Sequence, residues 1–66
     1  MTYRIEKNNS GLHPFWKFQL AIISNNFPAI RQKAVSAGLF VGEGPDYQGT
    51  IYSNSEETLQ NFLLTI

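Results

Sequence analysis

Phe15-Trp16-Lys17-Phe18-Gln19-Leu20-Ala21-Ile22-Ile23-Ser24 alternates along its whole length. Trp16, Phe18, Leu20 and Ile22 fall on one side of an extended chain, and Phe15, Lys17, Gln19, Ala21 and Ile23 fall on the other. Aromatic and β-branched residues suit a pleated surface, so the segment reads as a strand whose all-apolar side is core. Its second side is mixed. The fold then depends on what covers each side.

Upstream, Thr2 to Lys7 alternates as well, with Tyr3, Ile5 and Lys7 opposite Thr2, Arg4 and Glu6, the pattern of a half-buried strand. Asn8-Asn9-Ser10-Gly11 ends it, because such residues tolerate positive φ or bond their own backbone. Leu12, His13 and Pro14 extend the loop. Downstream, Asn25 and Asn26 are good helix caps and Pro28 falls in the first turn, where its missing N–H costs nothing. Phe27, Ile30, Ala34 and Ala37 recur at spacings of three and four, with Gln32, Lys33 and Ser36 opposite. Gly38 stands where a left-handed C-cap is wanted. Leu39 to Val41 reads as a short strand, Gly42 to Gly49 as a hairpin loop and Thr50 to Ser53 as the returning strand.

A last helix follows. Ser53 with Glu56, or Asn54 with Glu57, has the spacing of a capping box, and the two acids complement the helix dipole. Leu59, Phe62, Leu63 and Ile66 form its apolar stripe. The order is ββα twice over, and the halves echo each other: Ile22, Ser24, Asn25 and Ile30 match Ile51, Ser53, Asn54 and Leu59 at a constant offset of 29 residues. Equivalent strand-to-helix turns place both helices on the same side of one sheet. The expected fold is α+β, a four-stranded, mostly antiparallel sheet with two helices on one face, in ββαββα order. One compact domain spans residues 1–66, since a chain this short buries only about 60% of the surface its unfolded form exposes.

Composition narrows the function classes. The chain is 42% hydrophobic and 14% aromatic, too apolar for a disordered segment and too broken by charge for a membrane span. It has no cysteine, which removes disulfides and cysteine zinc sites as staples. With only about 3–5 kcal/mol expected from one small core, self-association is the natural substitute. No secretion signal opens the sequence, so the expected location is the cytoplasm. All five bases (Arg4, Lys7, Lys17, Arg31, Lys33) precede residue 34, with Glu6 beside them, while Glu43, Asp46, Glu56 and Glu57 follow. Folding the halves together neutralises them, and zero net charge removes long-range steering toward nucleic acid.

No residue set converges on catalysis. His13 is the only histidine, sits beside Pro14 in a polar loop and has no partner at short range; nearby Ser10 lacks a base and an orienting group. Gly42-Glu43-Gly44-Pro45-Asp46 is glycine-rich but has no lysine and leads into a strand, so it reads as a turn rather than a phosphate cradle. Glu43 and Asp46 lack the ordered oxygen spacing of a calcium loop. Asn8-Asn9-Ser10 fits the glycosylation pattern and reads as a turn in a chain without a secretion signal. Adjacent Glu56 and Glu57 point about 100° apart on a helix and cannot face one another as a pair. No catalytic, cofactor or metal site is expected.

Two features invite a partner. Arg31 lies at the edge of the buried helix stripe, where it either snorkels beside an acid such as Glu56 or Glu57 or binds a carboxylate or phosphate. The mixed sheet side carries Phe15, Lys17, Gln19, Ala21 and Ile23, flanked by Arg4, Phe40 and Tyr52. The leading expectation is a small non-enzymatic protein–protein binding module, a homodimer or a steric inhibitor of a larger partner such as phages and mobile elements encode. Phe15 and Tyr52 would anchor it and Lys17 and Arg4 would orient it, with Gln19 and Arg31 also expected among the partner-binding residues. The alternative is single-stranded nucleic-acid binding through the same open face, with Lys17, Arg4, Arg31 and Lys33 on phosphates.

Overall fold

The apolar row predicted for the central strand is continuous across the whole sheet. β1 (Thr2–Lys7), β2 (Phe18–Ile23), β3 (Phe40–Val41) and β4 (Gln48–Ser53) pair antiparallel throughout, in the order β1-β2-β4-β3. Ile5 faces Leu20, Leu20 faces Ile51, and Ile51 faces Val41. Directly opposed residues share a side of the sheet. These positions are from a computed structural model that describes residues 1–9, 11, 13–42 and 44–66.

Both helices, α1 (Phe27–Ser36) and α2 (Glu56–Leu63), lie on that apolar side. Phe27, Ile30 and Ala34 of α1 and Leu59 and Phe62 of α2 join Leu20, Ile22 and Ile51 in one buried cluster. Each large side chain fully buried there contributes about 1.5–3 kcal/mol. The ββαββα order and the shared helix face are as the sequence predicts. Among the described residues no helix is long and apolar enough to cross a membrane.

The two strand-to-helix junctions are built alike. Ser24 Oγ accepts the Asn26 N–H at 3.1 Å, and Ser53 Oγ accepts the Ser55 N–H at 3.1 Å. The caps themselves differ from expectation. Asn26 occupies the α1 cap position without a side-chain bond, and Pro28 follows in the first turn. Ser55, rather than Ser53 or Asn54, caps α2 by accepting the Thr58 N–H at 3.3 Å. Ser53 is occupied by its own turn, and Asn54 Oδ1 accepts the Lys17 N–H at 2.8 Å. At the other end of α1, Gly38 takes φ 80°, with its N–H bonded to Val35 and the Leu39 N–H bonded to Ala34. This paired closure needs the left-handed residue that glycine supplies.

A further correction concerns Trp16. β2 begins at Phe18, not Phe15, because the Lys17 N–H goes to Asn54 instead of to a neighbouring strand. Alternation no longer holds before that bend. Trp16 therefore leaves the core side and stacks on Phe40, which faces Tyr52 on the outer side, as Gln19 does from the other flank of β4.

Candidate functional site

The outer side of the sheet is ordered in rows. Glu6, Gln19, Tyr52 and Phe40 form one; Arg4, Ala21 and Thr50 form the next; Thr2, Ile23 and Gln48 form the third. The loop between β1 and β2 folds back over the first row. Its ends are tied where the Asn8 N–H meets the Lys17 carbonyl at 2.9 Å. The Asn8 side-chain amide also donates to the carbonyls of Trp16 (3.0 Å) and His13 (3.1 Å). Ser10 and Leu12 lie outside the described residues.

Held this way, the loop delivers three rings to the sheet. His13, with φ 50°, sits edge-on to Phe40 at 4.8 Å between centroids and tilts against Tyr52 at 5.0 Å. Trp16 stacks on Phe40 at 5.9 Å and 16°. Phe15 meets Trp16 edge-on at 5.1 Å. Such contacts each add about 0.5–1.5 kcal/mol beyond the area they bury. The outermost ring, Phe15, is 75% exposed, whereas Tyr52 beneath is 6% exposed.

Of the residues singled out from sequence, Phe15, Lys17, Gln19, Tyr52 and Arg4 gather on or beside this face. Gln19 donates to Glu6 at 2.8 Å, and Arg4 pairs with Glu6 at 3.1 Å. Tyr52, expected as a contacting anchor, is instead buried beneath His13 and Phe40 and supports the cluster from below. Arg31 is elsewhere: α1 carries it on the opposite side of the sheet. There its guanidinium lies 5.1 Å over the Phe27 ring and donates to the Gly44 carbonyl at 3.4 Å. Those groups, not Glu56 or Glu57, are its described partners. Lys33 is also on α1, with Nζ on the Thr65 carbonyl at 2.8 Å.

Over the second and third rows of the sheet, an open depression of about 520 Å³ is lined by Arg4, Ala21, Ile23, Thr50, Gln48 and the Gly44–Pro45 segment, with none of the clustered rings in its lining. The small side chains of the middle row leave this space. A wider cleft of about 1220 Å³ runs between the helices, with Val35, Leu39 and Phe62 in its lining. Glu43, considered with Asp46 for a cation, lies outside the described residues. Among the described residues no three of His, Cys, Asp or Glu gather as a metal site requires. His13 spends its ring on packing.

Sequence reasoning missed Trp16 and His13 as parts of this surface. The available signal was the density of rings just before the strand: His13, Phe15 and Trp16 stand within four positions. No known protein family, curated protein or solved structure matches the chain.

Proposed function

We propose that the chain is a non-enzymatic protein-binding module whose contact surface is the ring cluster on the outer side of the sheet. One observation carries the reading. Phe15 is three-quarters exposed at the top of a stack of rings that is itself anchored on the buried Tyr52. A pre-positioned aromatic side chain gains contact area on binding with little further loss of rotamer freedom. Exposed Lys17 and Arg4 set orientation, and the depression around Arg4, Ala21 and Thr50 accepts an apolar side chain of the partner. The action is steric, as in an inhibitor or adaptor.

Charge placement favours protein over nucleic acid as the partner. Arg31 and Lys33 belong to α1 on the far side, and Arg4 is already paired with Glu6 on the near one. Lys7 is on the helix side of β1, in register with Phe18, which leaves Lys17 beside the rings, short of the basic track that follows a phosphate backbone.

The test is capture from the source cell with three baits: the wild-type chain, Phe15→Ala and Val35→Ala. Val35 is a comparably exposed apolar residue on α1. The proposal expects a protein retained by the wild type and Val35→Ala baits and lost from Phe15→Ala. Equal retention by all three, or material lost on nuclease treatment, would reject it.

A further inference from the structure

Opposed residues in an antiparallel ladder alternate between pairs that exchange both backbone hydrogen bonds and pairs that exchange none. The Asn8 N–H donates to Lys17, and these two continue the register in which Glu6 faces Gln19 and Thr2 faces Ile23. Stepping back by twos, Glu6, Arg4 and Thr2 turn their backbone groups toward β2. Tyr3, Ile5 and Lys7 turn theirs away, to the outer edge, where the Lys7 carbonyl accepts the Asn9 N–H at 3.1 Å and keeps its second lone pair for a further donor. The Gly42 N–H bond to the Thr50 carbonyl fixes the same alternation from the far side of the sheet. Among the described residues, no strand pairs with β1 on its outer edge.

We propose that β1 pairs antiparallel with β1 of a second copy of this chain, about a two-fold axis at Ile5. The inference stands on the edge of the sheet and does not rest on the ring cluster. The charges select the register. An axis at Arg4 sets two guanidinium groups face to face, and one at Glu6 sets two carboxylates face to face; like charges directly opposed destabilise a ladder. An axis at Ile5 instead sets Arg4 opposite Glu6 of the second copy, twice by symmetry. Within one copy Arg4 and Glu6 already lie 3.1 Å apart. The two copies together close an alternating square of charge on the outer side.

The backbone agrees with the same axis. Ile5 exchanges its N–H and C=O with its own counterpart, and Tyr3 exchanges with Lys7 of the second copy. On the helix side, Tyr3 is 54% exposed in the single chain and gains the aliphatic stem of that lysine as a neighbour. Arg4 and Glu6 also deter slipped pairings, a common device on exposed edges.

Light scattering of the purified chain from about 10 μM to about 1 mM tests the proposal, a range suited to a small edge interface. The expected mass rises with concentration from one chain toward two. Arg4→Glu and Glu6→Arg each raise the dissociation constant about tenfold or more, and the two together restore it, since both cross-copy pairs are then re-formed in reverse. Far-UV circular dichroism checks the fold of each variant. Should a single variant unfold, a synthetic chain N-methylated at Ile5 removes the central donor without changing charge, and dissociation is expected. A one-chain mass throughout, a dimer indifferent to charge reversal or to N-methylation, or a double variant that stays monomeric overturns the proposal.

Discussion

The ring of Phe27 lies against the Cα of Gly49, in the space that a side chain at position 49 would fill. Gly49 faces Ile22 across the β2–β4 pairing, so the first residue of α1 is seated directly on the sheet. A Cβ added there would overlap the ring. Gly49→Ala is expected to destabilise the chain by about 1–3 kcal/mol, the usual cost of overpacking a filled core. Urea denaturation measures it. In a Phe27→Leu background the same change should cost less, and strictly additive effects would show that the two positions do not touch.

Leu20 is at the centre of the apolar row and fully buried. Leu20→Ala removes about 2–5 kcal/mol, which is comparable to the net stability of about 3–5 kcal/mol expected of one core this small. The variant is expected to lack a cooperative thermal transition. A melting curve like that of the wild type would mean that the row is not the main source of stability.

Asn54 holds the Lys17 N–H and so ties the ring-bearing loop to the start of α2. Asn54→Ala should cost about 0.5–1.5 kcal/mol, the net value of one such bond. The variant should also speed amide exchange across residues 13–17 more than in β4. Ser55→Ala, which removes the α2 cap, should cost about 1 kcal/mol without that local exchange. Exchange rates read residue by residue separate the two.

Trp16 is the chain's only tryptophan, and Phe40 stacks on it. Phe40→Ala is expected to red-shift the tryptophan emission by uncovering the indole, while leaving far-UV circular dichroism unchanged. An unshifted spectrum would mean that the stack does not persist in solution.

Much of this architecture was legible because local rules and tertiary packing agree. The alternation from Phe18 to Ile23 gave the core side, Pro28 and Gly38 bracketed α1, and the stripe through Leu59 and Phe62 oriented α2. The echo between Ser24 and Ser53 survives as two hydroxyls making the same turn. What failed did so where a distant polar contact decided. Alternation carries Trp16 to the core side only if the chain stays extended, and Asn54, far off in sequence, bends it at Lys17. Ser53, Asn54 and Ser55 are all good caps by type, so residue type could not choose among them. For Arg31 the sequence suggested an acid, Glu56 or Glu57, whereas its described partners are a ring and a backbone carbonyl, which charge pairing does not point to.

The most direct test of the proposed contact surface is photo-crosslinking from two positions of the folded chain. A benzoylphenylalanine replaces Phe15 in one preparation and Leu64, 85% exposed at the end of α2, in the other. Each is incubated with the partner retained in the capture experiment. A covalent adduct from position 15 and none from position 64 is the predicted result. An adduct from position 64 with none from position 15 would place the partner on the helices and contradict the account.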